Sequence, residues 1–111
     1  MFTNRPNTYF NDFSSKDAFH SAAIVFIYAD WSAPARAAGK TLIQSLTDFP
    51  SIQLFILDND ESATLNFMIE NDMLSHGWGE TFWLKNGRII SSIKRYDTLK
   101  IKDLVTYHRM L

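Results

Sequence analysis

Ala23-Ile24-Val25-Phe26-Ile27-Tyr28-Ala29-Asp30-Trp31-Ser32-Ala33-Pro34-Ala35-Arg36 takes the chain from an apolar run into a helix start. Six successive small, β-branched or aromatic residues, Ala23 to Tyr28, suit a central strand buried on both faces. Ser32 can cap a helix by accepting from its orphan N–H groups, and Pro34 is tolerated in the first turn. Ala38, Leu42, Leu46 and Phe49 then recur at helical spacing, which predicts a helix to about Asp48, stopped by Pro50.

Upstream, the first dozen residues are polar and turn-rich, with a short strand around Asn7 to Phe10. Ser14 or Ser15 caps a helix through about Ser21, with Asp17 in the first turn where the macrodipole favours an acid. Downstream, Ile52 to Leu57 reads as another strand, and Asp58-Asn59-Asp60 turns the chain. Glu61 to about Asn71 is a third helix with Leu65, Met68 and Ile69 facing inward, followed by a loop from Asp72 to Gly79. Thr81 to Leu84 and Ile89 to Ile93 form a hairpin around Asn86-Gly87, the strongest short turn signal. Thr98 to Met110 closes the chain as an amphipathic helix with Leu99, Ile101, Leu104, Val105 and Tyr107. The order βαβαβαββα predicts one α/β domain over residues 1–111, a mixed central sheet flanked by helices on both faces.

The chain has 111 residues, a net charge of −1 and no cysteine. Zero cysteines exclude disulfides, thiolate nucleophiles, iron–sulfur clusters and cysteine-based zinc sites. His20, His76 and His108 lack metal-ligand spacing, so neither a metal nor any other cofactor is expected. The longest apolar run, Ala22 to Ala29, falls short of the roughly 20 residues of a membrane span. The first residues show no basic-then-apolar order, and the expected location is cytoplasmic. Charge is uneven. Asp48 to Glu80 holds seven acids and no Lys or Arg, whereas Lys85 to Leu111 holds seven bases against Asp97 and Asp103. Such a basic segment can steer an acidic protein, and its lack of aromatic interleaving argues against nucleic acid.

The element order and one hexapeptide together resemble thioredoxin. That family carries Trp-Cys-Gly-Pro-Cys-Lys at the strand–helix junction where this chain reads Trp31-Ser32-Ala33-Pro34-Ala35-Arg36, and Lys85-Asn86-Gly87 looks like its late hairpin turn. The resemblance spans about Phe10 to Leu111 and implies the thioredoxin fold. It also implies that the redox machinery has been removed. Ser32 and Ala35 replace the two cysteines; Phe26 replaces the buried aspartate; Ile56 replaces its lysine partner; Gly79 replaces the cis-proline. A serine hydroxyl is not appreciably ionised near neutral pH and cannot form a mixed disulfide. Once thiol chemistry is gone, an apolar residue in place of a buried acid should stabilise the sheet.

In the family, clients lie across a groove and pair with the backbone of the residue before the cis-proline, a form of strand addition. Carried over by position, that surface is Trp31, Ser32, Ala33, Pro34, Trp78, Gly79, Arg95 and Tyr96. Trp, Tyr and Arg are the usual interface anchors. The expectation is a redox-inactive protein-binding module, not an enzyme, that serves as an assembly chaperone, adaptor or regulatory subunit for a protein or peptide partner, acidic by charge. The alternative is a small-ligand binder or non-thiol enzyme using Ser32, His76, Glu80 or Tyr96. Self-association through opposite charged faces is a third option. For Ser32 the helix cap is favoured over a nucleophile, since only Asp30 is near as a base. Trp31 is weighed both as an anchor and as a side chain that packs on its own helix.

Overall fold

The computed structural model describes residues 2, 5–12, 22–97 and 101–111. The expected helix from Ser14 or Ser15 to Ser21 lies outside these residues, as do Thr98, Leu99 and Lys100. Among the described residues, five strands and three helices follow one another: β1 (Thr8–Phe10), β2 (Ala23–Tyr28), α1 (Ala33–Ser45), β3 (Gln53–Asp58), α2 (Ser62–Glu70), β4 (Thr81–Lys85), β5 (Arg88–Ile93) and α3 (Ile101–Arg109). The strands form one sheet in the order β1-β3-β2-β4-β5. β1, β3 and β2 run parallel, while β4 is antiparallel to β2 and β5 to β4.

β2 lies at the centre, and the two-residue period of a strand divides its side chains between two cores. Ile24 and Phe26 point into the cluster built with Ala38 and Leu42 of α1, Leu46 at its C-cap and Leu104 of α3. Ala23, Val25 and Ile27 point into the other, with Phe55, Leu57, Phe82 and Met68 of α2. Helices therefore cover both faces, as the unbroken apolar run predicts. Phe26 pairs in register with Ile56, and both are buried. The two positions where the resemblance places the family's acid and its lysine partner are thus neighbours in one apolar layer. The β4–β5 hairpin turns on Asn86 and Gly87, whose φ values of 55° and 76° are those of a type I′ turn.

Three element readings need correction. α1 ends at Ser45 rather than Asp48. Beyond it the Thr47 and Phe49 N–H groups reach back only three residues, to Gln44 and Leu46, so the chain leaves in tight turns before Pro50. The Phe49 and Ile52 carbonyls accept from the Arg5 guanidinium, which ties the N-terminal segment to this corner. On α2 the inward residues are Thr64 and Met68, whereas Leu65 and Ile69 are 54% and 67% exposed. On α3 Ile101 is exposed, and the buried positions are Leu104 and His108.

His108 joins three elements. Trp83 Nε1–H donates to its Nδ1 at 3.1 Å, and its Nε2 lies 2.8 Å from Ser45 Oγ. Burial, with the Arg5 charge adding to it, pushes the imidazole pKa down to about 4.

Candidate functional site

At the β2–α1 junction the Ser32 N–H donates to the Ala29 carbonyl at 3.1 Å, which turns the chain into the helix. Ser32 itself is buried, and its Oγ accepts from the Ala35 N–H at 3.3 Å. That is the predicted cap, and no base reaches the hydroxyl among the described residues. Ala33 and Pro34 are exposed, and Ala35 is buried, its Cα facing Gly79.

Trp31 is 60% exposed. Its Nε1–H donates to Asp60 Oδ2 at 2.8 Å, and its ring lies over Gly77. Gly77 has φ +77°, and a Cβ there would come within 2.7 Å of the indole Cη2. Trp31 therefore rests on the β3–α2 and α2–β4 loops, with much of the indole left in solvent.

Glu80 organises the loop that follows α2. Its side chain is only 1% exposed and accepts from the Ser75 hydroxyl at 3.1 Å, the Trp78 N–H at 3.0 Å and the His76 N–H. Its backbone carbonyl accepts from the Ile27 N–H at 2.9 Å, which anchors the loop to β2. One buried carboxylate thus satisfies donors that would otherwise be costly to bury. The next residue back, Gly79, has φ +85° and presses on α1; a Cβ would meet the Ala38 Cβ at 2.7 Å. No cis peptide bond occurs among the described residues. Where the resemblance places a cis-proline, this chain lays bare backbone against the helix.

Trp78 is half-buried rather than free between its two glycines. Its ring centroid lies 4.6 Å from that of His76, and the Arg95 guanidinium sits 4.9 Å from it in a cation–π contact. Arg95 Nε also pairs with Asp97 at 3.0 Å. Tyr96 turns inward. Thr81 donates its hydroxyl proton to the Gly79 carbonyl, so the Tyr96 hydroxyl donates to Thr81 Oγ1 at 2.5 Å, and burial pushes the phenol pKa above its ordinary range.

Of the eight site residues expected, Trp31, Ala33, Pro34 and Arg95 stand at the surface and Trp78 half so. Ser32 and Gly79 are buried, and Tyr96 is half-buried with its hydroxyl engaged. Glu80, Gly77 and Asp60 complete the site and were not singled out as its supports. The signal for Glu80 was present: an acid wedged between Gly79 and the buried strand starting at Thr81 needs internal donors. Among the described residues no three His, Asp or Glu side chains gather to hold a metal ion.

A motif loop at the β2–α1 junction, a glycine loop before β4 and Arg95-Tyr96 after β5 meet on a mixed five-stranded sheet, and these define a thioredoxin-fold protein. Having no cysteine, it has no nucleophile for thiol–disulfide exchange. No family model matches the chain, and no curated protein matches it by sequence. Solved structures do. A chain from the structural study of thiol resolution in the yeast mitochondrial 1-Cys peroxiredoxin by the glutathione and thioredoxin systems superposes with a TM-score of 0.74 at 17% identity, over 99% of this chain and 98% of that one. The uncharacterised thioredoxin-like protein of Clostridium perfringens gives 0.73 at 13%, over 96% and 82%. Oxidised thioredoxin of Plasmodium falciparum gives 0.70 at 15%, over 91% and 96%. At these identities the likeness is one of fold.

Proposed function

We propose that the chain is a protein-binding module on a thiol-free thioredoxin fold, an assembly chaperone, adaptor or regulatory subunit, which holds its partner through Trp31, Trp78 and Arg95. The observation that carries this reading is Trp31, a large indole left mostly in solvent yet fixed by Asp60 and Gly77. A rigid exposed aromatic loses little conformational entropy on binding, which is what an interface anchor needs. Glu80 holds the Trp78 N–H that strand addition would use, so the partner docks on side chains rather than on backbone. The enzyme alternative loses support because Ser32, Glu80 and Tyr96 are each engaged within the fold.

The test is capture from the source cell's lysate by this chain beside its Trp31→Ala/Trp78→Ala variant, then reconstitution with the captured protein. Each truncation should weaken binding by about 2 kcal/mol, roughly 30-fold. Equal capture by both proteins moves the site away from this surface.

A further inference from the structure

The parallel strands β1, β3 and β2 end side by side, and their last side chains line a cleft of about 230 Å³ with no part in the surface described above. Register places them. Phe10 pairs with Ile56, Ile56 with Phe26, and Tyr28 with Asp58, so the two-residue period puts Phe10, Ile56, Tyr28 and Asp58 over one face of the sheet. Phe2 closes the cleft, and Asp30 borders it just beyond β2. The Phe10 and Tyr28 rings stand at 65° and 83° to Phe2, with centroids 6.1 and 5.4 Å from it. Phe10 and Tyr28 thus pack edge to face on the buried Phe2, and the three rings together make the aromatic lining of a small box.

The acids give the box a sign. Asn11 Oδ1 accepts from the Asp58 N–H at 2.8 Å, and Asp58 Oδ1 from the Asp60 N–H at 2.9 Å, which fixes this carboxylate in place. Among the described residues neither the Asp30 nor the Asp58 carboxylate meets a lysine, arginine or histidine at ion-pair distance, and the Arg36 guanidinium donates instead to the Asp30 backbone carbonyl at 2.6 Å. Aromatic side chains beside two carboxylates, which leave the cleft net negative against the Arg36 cation, narrow the guest by chemistry. An anion is repelled, and a metal ion needs oxygen ligands on all sides, which rings do not supply. A primary ammonium has three N–H donors to satisfy. A fully methylated ammonium has none, and its charge is well served by aromatic faces and nearby carboxylates. The volume is below the roughly 300–1,000 Å³ of pockets that enclose drug-sized ligands, and suits one headgroup.

We propose that this cleft binds a quaternary ammonium group, free or at the end of a trimethylated lysine. The inference stands apart from partner binding at Trp31 and Trp78, and either can fail alone.

Amide NMR titration of the full chain tests it, with choline, a trimethyllysine peptide and 3,3-dimethylbutan-1-ol, the neutral isostere of choline, as probes. At least one cation should give saturable shifts confined to residues 10–11, 28–30 and 56–58, and the neutral isostere should bind at least about tenfold more weakly. Choline binding assigns the site to a free headgroup; binding of the peptide alone assigns it to a protein side chain. Tyr28→Leu should abolish the shifts. Asp30→Asn, at an exposed position that leaves the core untouched, should weaken them several-fold whether or not the Tyr28 variant folds. No saturable shift with either cation, equal affinity for the neutral alcohol, or indifference to Asp30→Asn overturns the proposal.

Discussion

At the scale of single residues, His108 shows how a buried polar chain fixes a protonation state. Trp83 Nε1–H donates to Nδ1, so the ring proton sits on Nε2 and donates to Ser45 Oγ, whose own proton goes to the Leu42 carbonyl at 2.6 Å. Every donor has an acceptor, and a second ring proton would face the Trp83 N–H head on. Hence the imidazole stays neutral until about pH 4, against 6.5 for the free side chain. Between those values the unfolded chain binds a proton that the native one does not, so stability is complete above pH 6.5 and falls as pH drops towards 4. The loss should be about 3 kcal/mol across that window. His108→Gln can keep both hydrogen bonds without titrating, and urea midpoints should show its slope flattened; parallel curves for the two proteins would refute the assignment. Gly79 makes a steric counterpart. With φ +85° and the Ala38 Cβ 2.7 Å from where its own Cβ would be, Gly79→Ala should cost about 3 kcal/mol in denaturant unfolding. Gly79→Pro should fare no better, because proline fixes φ near −65°.

At the scale of elements, legibility depended on how well a pattern fixes phase. β2 was plain because Ala23 to Tyr28 has no polar position to misplace, and the hairpin because Asn86-Gly87 states its own turn type. α2 was misread because Leu65, Phe67, Met68 and Ile69 crowd most of the helix circumference with apolar side chains, leaving the inner face unspecified. The protein buries Thr64 and Met68 instead, with the Met73 N–H bonded to the Met68 carbonyl at 2.8 Å. Thr64 Oγ1 finds no hydrogen-bond partner among the described residues. Thr64→Val keeps the shape and removes the orphan hydroxyl, so it should raise stability by about 1 kcal/mol, read as a melting point several degrees higher. The site was legible by position but not by orientation. Trp31 and Arg95 lie outward as a loop reading expects, whereas the inward turn of Tyr96 depends on Thr81, fifteen residues away, and Glu80's role on donors drawn from its own loop.

At the scale of the whole molecule, charge and aromatic anchors should act on different steps of binding. Lys85, Arg88, Lys94, Arg95, Lys102 and Arg109 are all exposed, on the hairpin, the segment after it and α3. Such a field extends about 10 Å at moderate salt and acts on encounter rather than on the final contacts. In the proposed complex Trp31 and Trp78 would be short-range groups that take effect only once the surfaces meet, and so should govern its lifetime. With a reconstituted partner, raising ionic strength should therefore slow association with little change in dissociation. Trp31→Ala should do the reverse, speeding dissociation roughly 30-fold at an almost constant association rate. Arg95 belongs to both groups, as a surface charge and as the cation over the Trp78 ring, so Arg95→Gln should move both rates. If association proves indifferent to salt, the basic half is a solvated face and recognition rests on the indoles alone. If Arg95→Gln alters association only, the stacked guanidinium contributes charge but does not hold Trp78 for the partner.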